Sequence, residues 1–385
     1  MILFRLVKKI LKKNYKIFIS FFFRFIYVYP KLPLKKNDLV GVLKKKIKLN
    51  KKNYFVNKII DGRLYTDNVY FASYISKNNF LIDNSYQFAN KKNSLTSYNQ
   101  NISRNPTLTN GTPKFIVEKK FNILSLLSGG AAKENFSHWF LDVIPKIYLF
   151  KRLFKNEKID KIIVPSTKLP FQKESLMMLG FKSKDIISAN QLKHIKCKNL
   201  FTTSHPSNYH PEGVPLWSIK YIRSVFLNNK KNSNINYERI YIDRSQSHLI
   251  DTNNLDQFKT FRVILNEDEI KKYLISYGFK IVKPEKYSFR DQISLYNNAK
   301  VIFSLFGAAM YLISLCKPKT KIIEIRPKKA SDEFKKIAKF CNLNHNQINL
   351  SPIVNPGKFT QQGLLYCPLS RVEKVIKNLS LKKIN

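Results

Sequence analysis

Residues 238–327 alternate between short apolar strands and helical patterns, and this alternation constrains the fold more than any other feature. β-Branched runs (RIYI, KIVK, KVIFSL and KIIEI) are separated by segments at 266–277 and 289–299 whose apolar residues recur with helical spacing. Such alternation predicts an α/β fold with a parallel sheet that is covered by helices on both faces. In that fold, ligands bind at the carboxyl ends of the strands.

Polar residues and a glycine follow these strands, where a ligand site is expected. Arg244 comes after the first strand, Glu285 after the second and Gly307-Ala308 after the third, while Glu324 lies in the last. An arginine can hold a phosphate by two parallel hydrogen bonds, and backbone amides beside a glycine can approach an anion. A carboxylate such as Glu324 can accept hydrogen bonds from ribose hydroxyls. The alternatives are a solvated arginine, close helix–strand packing at the glycine, and a surface salt bridge of Glu324 to Arg326 or a lysine.

A second polar cluster lies in the first half of the chain, after a buried strand predicted at 121–127. Asn135, His138 and Asp142 fall on one face of a helix predicted to run from about 135 to 153. A carboxylate beside a histidine raises the basicity of the imidazole, so this pair could remove a proton from an alcohol. The alternative is a helix start that Asn135 or Ser137 caps, with His138 packed in the core.

The chain of 385 residues is long enough for two α/β domains that enclose a cleft. The polar segment KKNSNINY at 230–237 lacks apolar periodicity and predicts a linker between a domain at 31–229 and one at 238–350. Residues 31–58, rich in lysine, are expected to form a solvated lead-in with little β-structure. The tail at 351–385 is expected to end in a helix that could pack back on the first domain.

Residues 1–30 combine a basic amphipathic segment with an apolar one. Basic residues recur at helical spacing over 2–16, and residues 17–29 are apolar but interrupted by Arg24. A membrane-spanning helix needs about 20 apolar residues, so the pattern favours attachment to an anionic membrane surface over a crossing. No small-residue cleavage site of a signal peptide follows. The alternative is a docking helix followed by a buried strand.

The net charge is strongly positive, because the chain has 69 Lys and Arg residues but 25 Asp and Glu residues, which gives a formal net charge of +44. Such a charge favours polyanionic surroundings, whether phospholipid head groups, nucleic acid or phosphorylated substrates. The lysines are dispersed and no basic-aromatic RNA motif or zinc finger is present, so no specific nucleic-acid partner is expected. The scattered cysteines lack metal-ligand spacing, which indicates reduced thiols in the cytoplasm.

Several sequence blocks occur together in one order over about residues 121–327. They are N-x-x-H-W-x-x-D-x-x-P, Y-I-x-R-S, R-x-x-x-N-E-x-E, G-F-x-x-V-x-P-E, S-F-x-x-Q-I, and A-x-V-I followed by G-A-A and I-I-E-I. This arrangement resembles glycosyltransferase family 61, which includes bacterial capsule and lipopolysaccharide transferases. The resemblance implies a GT-B-like architecture of two Rossmann-like domains facing a cleft, a nucleotide-sugar donor and inversion at the anomeric carbon.

The resemblance falls on particular residues in each half of the chain. In the first block they are Asn135, His138, Asp142 and Pro145. In the second half they are Arg244, Arg262, Asn266, Glu267, Glu285, Gln292, Gly307, Ala308 and Glu324. The resemblance implies that His138 or Asp142 is the catalytic base, with Asn135 and Pro145 supporting the site. It also implies that the residues of the second half bind the donor, with support from Gln292. Phe306 stands where the family usually has His, and Leu312 where it usually has Asn.

These features predict an inverting glycosyltransferase of capsular or other envelope polysaccharide biosynthesis, with a glycan or lipid-linked acceptor. We expect it in the cytoplasm, peripheral on the inner face of the cell membrane. No Asp-x-Asp metal motif is present, so no cofactor is expected and Arg244 with the amides near Gly307 should balance the leaving diphosphate. The competing hypotheses are a non-catalytic member or scaffold with the same fold, suggested by Phe306 and Leu312, and a basic nucleic-acid-binding protein.

Overall fold

A computed structural model of the protein divides the chain into two compact units, Met1–Ser218 and Ile219–Asn385. The described residues are 14–15, 17–19, 21–68, 70–88, 98–99, 102–206, 214–228, 235–245, 261–354 and 360–384. The division between the units falls within the helix Leu216–Asn228, ahead of the predicted linker at 230–237. Residues 230–234 of that linker lie outside the described residues.

The first unit is built on a mixed sheet, which has ten strands among the described residues. They are β1 (Val42–Leu49), β2 (Lys52–Ile60), β3 (Arg63–Thr66), β4 (Phe71–Ile75), β5 (Tyr86–Phe88), β6 (Tyr98–Asn99), β7 (Val117–Ser125), β8 (Lys161–Val164), β9 (Ile186–Ser188) and β10 (His194–Thr203). Strands β10, β7, β8 and β9 are neighbours in that order and pair in parallel. Strands β1 to β6 pair antiparallel. The α/β class is confirmed, but this sheet is mixed and departs from the parallel, Rossmann-like one expected.

Helices of the first unit supply aromatic side chains to the core beside this sheet. They are α1 (helical at residues 14–15, 17–19 and 21–26), α2 (Thr107–Asn110), α3 (Phe136–His138), α4 (Ile144–Leu153) and α5 (Pro170–Met178), with α6 (Leu216–Asn228) at the division. Phe150 of α4 and Phe154 just after it contact the ring of Phe201 in β10, with centroids 5.0 and 5.3 Å apart. Burying these apolar rings on the sheet is the main force that holds α4 in place.

The lysine-rich lead-in forms an antiparallel hairpin of β1 and β2, so the prediction of little β-structure at 31–58 was wrong. In β2, Tyr54, Val56 and Ile59 are buried in the core. The lysines that suggested a solvated segment lie in β1, where Lys45 and Lys46 are exposed. Lysine on an edge strand is compatible with pairing on one side and hinders pairing with further chains on the other.

The second unit contains a fully parallel sheet, with five strands in the part of the chain that the structure describes. In spatial order they are β13 (Lys280–Val282), β11 (Arg239–Ile242), β14 (Val301–Leu305), β15 (Lys321–Pro327) and β16 (Asn344–Leu350). The intervening helices are α7 (Glu267–Ile275), α8 (Phe289–Asn298), a 3₁₀ helix (Ala308–Leu315) and α9 (Glu333–Phe340). The predicted alternation of strands and helices is therefore confirmed.

Sequence reasoning missed two short pairings of the second unit. Strand β16 has the sequence NHNQINL, and only Ile348 and Leu350 of it are buried. Strand β12 (Arg262–Ile264) pairs in parallel with β17 (Gly363–Leu365) as a separate small sheet. Strand β16 lacks the apolar, β-branched run that identifies a buried strand, and β12 and β17 are three residues long and pair with each other across about 100 residues of chain.

The terminal helix α10 (Leu369–Asn378) belongs to the core of the second unit. Its buried residues Val372 and Ile376 join a cluster with Ile270 and Leu274 of α7 and Phe303 of β14. This corrects the expectation that the helix packs back on the first domain. The physical reason is the apolar face of α7, which α10 covers.

Helix α1 is the described part of the amino-terminal region that was predicted to associate with a membrane. Residues 1–13, which carry most of the predicted basic amphipathic segment, lie outside the described residues. Within the described ranges, no helix has both the length and the apolar character that crossing a membrane requires. Attachment to a membrane surface stays a prediction at this point.

The four cysteines, Cys197, Cys316, Cys341 and Cys367, are buried and free of disulfide bonds. Burial raises the pKa of Cys197 to about 12 and that of Cys367 to about 11. A thiol is nucleophilic and easily oxidised only as thiolate, so these two side chains behave as core packing groups at neutral pH.

Candidate functional site

The predicted residues of the first unit lie on a helical segment that follows β7. Asn135 precedes α3 and its side-chain oxygen accepts a hydrogen bond from the backbone nitrogen of Ser137, 2.9 Å away. A π-helical turn, Trp139–Val143, connects α3 to α4, in whose first turn Pro145 lies. The predicted helix is thus present with a π turn inside it, a feature that is frequent at functional sites. Asn135 acts as a helix cap, which was the alternative interpretation for this residue.

His138 and Asp142 are in direct contact, as their spacing predicted. Nδ1 of His138 lies 2.8 Å from Oδ2 of Asp142, and Oδ1 of the same carboxylate lies 3.8 Å from Nδ1 of His205. The side chain of His138 is 18% exposed, whereas that of Asp142 is 1% exposed and that of His205 is fully buried. Of the two candidate bases, His138 is therefore the one that reaches the surface, with Asp142 behind it.

Lys146, one helical turn after Asp142, completes this cluster, which we call the His138 cluster (His138, Asp142, Lys146 and His205). The Lys146 ammonium is buried and donates a hydrogen bond to the backbone oxygen of Leu127. Burial lowers the pKa of Lys146 to about 7, although the nearby Asp142 carboxylate opposes the shift. Burial likewise lowers the pKa of His205 to about 4, again against Asp142, so this imidazole is neutral at physiological pH. One buried carboxylate is thus surrounded by three basic side chains.

Two arginines of the second unit converge beyond the carboxyl ends of β11 and β14. Nη1 of Arg244 donates a hydrogen bond to the backbone oxygen of Phe306, 3.0 Å away, and Nη1 of Arg262 donates to the same oxygen. Nε of Arg262 also donates to the backbone oxygen of Gln361, at 2.6 Å. We call Arg244 and Arg262 the arginine pair. The structure brings together two residues that were predicted as separate candidates.

Gly307 and Ala308 lie directly against the arginine pair. A Cβ atom added to Gly307 would come within 2.6 Å of Cζ of Arg244, so glycine is required for the guanidinium to occupy this position. Ala308 begins the 3₁₀ helix and is partly exposed. In the protein itself, the group that approaches this glycine is the Arg244 side chain. The approach of an anion to the amides at Gly307 stays a prediction.

Positive charge is concentrated in this part of the second unit. Burial lowers the pKa of Arg262 to about 9, and the neighbouring Arg244 charge contributes to the shift. Burial also lowers the pKa of Arg244, while the carboxylate of Glu267 opposes it. A pKa lowered by a like charge shows that these guanidinium groups repel each other. An anion placed between their donors would relieve the repulsion and could be bound by several charge-assisted hydrogen bonds.

Two predicted carboxylates lie at the same end of the sheet, in different surroundings. Oε1 of Glu267, in the first turn of α7, accepts a hydrogen bond from the hydroxyl of Tyr241 at 2.8 Å. Glu285 is exposed in the turn after β13. Gln292 donates to the backbone oxygens of Pro284 and Tyr287, at 2.9 and 3.1 Å, and so supports the turn that carries Glu285. Among the described residues, no hydrogen bond or ion pair joins Glu285 to the arginine pair.

Glu324 lies in the interior of the second unit, with an exposed fraction of 0%. Its Oε2 is 2.8 Å from Nε2 of His345 and accepts a hydrogen bond from Gln347 at 3.2 Å, while Oε1 is 3.8 Å from Nε of Arg326. This corrects the expectation of a ribose-facing carboxylate; the alternative, a salt bridge to Arg326, has the right partner, but the pair is buried and not at the surface. Glu324 is a buried ion-pair partner that acts on Arg262 only through its charge.

A family model described as Glycosyltransferase 61 matches residues 136–323. The segment at residues 136–323 belongs to glycosyltransferase family 61. The matched segment includes His138, Asp142, the arginine pair and Gly307, and it ends just before Glu324. Membership implies glycosyltransferase activity. No curated protein matches the chain.

The two departures from the family 61 pattern are both buried. The ring of Phe306 lies 4.6 Å from the Arg262 guanidinium and 5.8 Å from that of Arg326, and it contacts the ring of Phe334 edge-on. Leu312 is 1% exposed within the 3₁₀ helix. Phe306 therefore presents an aromatic face that attracts the Arg262 cation. The arginine pair keeps its place without a histidine at this position.

Sequence reasoning missed His205 and Lys146 in this family 61 chain. His205 lies two residues after the end of β10, in the segment TTSHPS, so its position near a strand end was a usable signal. Lys146 lies four residues after Asp142, the helical spacing that had already linked Asp142 to His138. In so basic a chain a single lysine does not stand out, and only its burial identifies it.

Proposed function

We propose that the protein is an inverting glycosyltransferase that transfers a hexosyl or pentosyl group from a nucleotide sugar to a glycan or glycolipid acceptor. The observation that carries this proposal is the arginine pair against Gly307 at the carboxyl ends of β11 and β14. Paired guanidinium groups beside backbone amides complement a diphosphate. For a family 61 chain, the diphosphate of a nucleotide sugar is the anion that such a site would hold.

In the proposed reaction, His138 is the general base and Asp142 is its positioning residue. Because Nδ1 of His138 faces the Asp142 carboxylate, Nε2 is the ring nitrogen that would take the proton of the acceptor hydroxyl. The hydroxyl oxygen forms a bond to the anomeric carbon as the bond from that carbon to the diphosphate oxygen breaks. The electron pair leaves with the diphosphate, and attack from the opposite side inverts the anomeric configuration.

Charge on the leaving diphosphate would be balanced by the arginine pair and the amides that follow Gly307. This proposal assigns proton removal to the first unit and donor binding to the second, as in a GT-B enzyme. Because protein groups supply the positive charge, we expect transfer to persist in excess EDTA. A complete requirement for a divalent metal ion would contradict this part of the mechanism.

The biological setting that we propose is bacterial envelope or capsular polysaccharide biosynthesis. Nucleotide sugars are cytoplasmic and lipid-linked acceptors lie in the membrane, so the enzyme would act at the inner face of the cell membrane. The excess of basic residues suits a surface of anionic phospholipids. Polynucleotide binding that is weak and falls steeply with salt would be expected from charge alone, without a specific nucleic-acid partner.

A thermal-shift screen against UDP, GDP, CMP and their sugars tests the proposal. A ligand that binds only the folded state raises the melting temperature as its occupancy increases. We expect one nucleotide series to raise it, and Arg244→Ala to lose that shift. Arg371→Ala is the matched control, because Arg371 is an exposed arginine on α10 of the same unit.

Two outcomes of this screen would count against the proposal. If no nucleotide raises the melting temperature, the arginine pair is not a donor site. If Arg244→Ala keeps the full shift, nucleotide binds elsewhere. A shift without any sugar transfer to lipid-linked or glycan acceptors would instead favour the non-catalytic member suggested by Phe306 and Leu312.

A further inference from the structure

Helix α1 is anchored to the first unit by one side only. Phe23 is buried, stacks on Tyr27 with ring centroids 5.9 Å apart, and contacts the ring of Phe115 at 5.0 Å. The hydroxyl of Tyr27 accepts a hydrogen bond from the backbone nitrogen of Ile116, 3.2 Å away. Just beyond the helix, Asn79 donates from its side chain to the backbone oxygen of Val28. These contacts fix which side of α1 faces the body of the unit.

The opposite side of α1 is apolar and open to solvent. We call it the aromatic face, and it consists of Phe18 (65% exposed), Phe21 (57%), Phe22 (44%), Phe25 (78%) and Ile26 (43%). At 100° per residue these side chains share an arc of roughly 140°, and Phe23 and Tyr27 lie outside it. A single exposed apolar residue is ordinary, but a contiguous patch of four phenylalanines marks an interaction surface.

The residues that interrupt and follow the aromatic face in the sequence are basic. Arg24, Lys31, Lys35 and Lys36 are exposed, and the first acidic residue of the chain is Asp38. A second copy of this chain on the same face would bring like charges together, which disfavours self-association. Anionic lipid head groups complement the basic residues, and the hydrocarbon below them accepts the phenyl rings.

We propose that the aromatic face of α1 inserts into an anionic phospholipid bilayer, so that the helix lies in the plane of the membrane surface. The guanidinium of Arg24, 5.3 Å from the ring of Tyr29, would remain at the level of the head groups. The phenyl rings supply the apolar anchor and the basic residues supply the attraction. This inference deepens the proposed membrane setting. It rests on the proposed function only for the reason why the protein would bind a membrane.

Flotation of the full chain with lipid vesicles tests the inference. The wild-type protein should float with vesicles that contain about one third phosphatidylglycerol, and much less with pure phosphatidylcholine. The double substitution Phe22→Ser with Phe25→Ser should lower the vesicle partition coefficient roughly tenfold or more. Met177→Ser is the matched control, because Met177 is an exposed apolar residue on α5 of the same unit, and it should float like the wild type.

The thermal shift by nucleotide, measured on the same three proteins, separates this inference from the proposed function. Loss of flotation with an unchanged nucleotide shift supports the aromatic face as the membrane anchor. Equal flotation of the double variant and the wild type would overturn the inference. So would a wild-type dimer that the double substitution dissociates, since the face would then be covered by a second copy.

Discussion

The His138 cluster of the first unit and the arginine pair of the second unit both bury charge, but they balance it differently. In the His138 cluster, one carboxylate is shared by a nearby histidine at 2.8 Å, a second histidine at 3.8 Å and a buried lysine. In the arginine pair, two guanidinium groups donate to one carbonyl oxygen, and each is shifted towards its neutral form.

This difference indicates different tasks. A cluster in which a carboxylate is matched by basic partners is stable without a ligand, and it can hold one exposed imidazole in a fixed orientation. Two like charges that lie close together repel each other, and an anion bound between them relieves that repulsion. The repulsion therefore favours anion binding. We therefore expect substitutions in the first cluster to act on the rate of transfer, and substitutions at the arginine pair to act on donor binding.

The largest effect is expected for His138→Ala. Removing a general base should lower kcat roughly 10²–10⁴-fold, while the nucleotide-induced thermal shift stays unchanged. Kinetics of sugar transfer on the purified variant provide the measurement. A variant that keeps its rate, or that loses nucleotide binding together with its rate, would break the division of tasks between the two clusters.

Asn135→Ala is the matched control for His138→Ala, since both residues lie at the start of the same helical segment. Loss of the Asn135 cap should cost about 1 kcal/mol of folding stability and leave the transfer rate near that of the wild type. If Asn135→Ala lowers the rate as much as His138→Ala does, the helix start as a whole is responsible and His138 has no special role.

The second prediction concerns Gly307→Ala, which places a Cβ atom where the Arg244 guanidinium lies. Displacing one charge-assisted donor should weaken nucleotide binding about tenfold to a hundredfold, measured by titration calorimetry. The control is the same substitution in an Arg244→Ala background, where it should add little if displacement of Arg244 is its mechanism. Fully additive effects would show that Gly307 serves the donor independently of Arg244.

Local sequence patterns were sufficient for the parts of the molecule in which neighbours along the chain determine the structure. The strands β11, β13, β14 and β15 were predicted because each is a continuous apolar run, and the His138–Asp142 contact because four residues make one helical turn. Strand β16 was missed, because most of its side chains are polar and its place at the sheet edge is decided by β15.

Long-range contacts explain what the sequence could not predict about the candidate site. Arg244, Arg262 and Phe306 meet only because the ends of β11 and β14 lie close to the start of β12, and no spacing in the sequence records that. Glu324 was expected at an open strand end, but His345 and Arg326 enclose it. His205 reaches Asp142 from a strand that pairs in parallel with β7.

The third prediction is the pH dependence of nucleotide binding at the arginine pair. The pKa of Arg262 in the ligand-free protein is about 9, so the side chain is protonated at neutral pH and loses its charge as the pH rises through that value. Affinity for a nucleoside diphosphate should be flat from about pH 7 to 8 and should fall, by at most about tenfold per pH unit, above pH 9. Arg262→Ala should bind more weakly and lose this dependence; a flat profile in the wild type would show that Arg262 does not contact the anion.

The smallest effect is expected at Lys146, and it appears in stability instead of affinity. The folded pKa of Lys146 is about 7, well below its ordinary value of 10.5, so between these values the unfolded chain binds a proton that the folded protein does not. Stability therefore rises with pH in this window, by at most about 1.4 kcal/mol per unit, and the gain is absent below pH 7 where both states are protonated. Lys146→Met should flatten the rise in urea unfolding free energy between about pH 7 and 9. A slope equal to that of the wild type would mean that Lys146 stays charged within the His138 cluster.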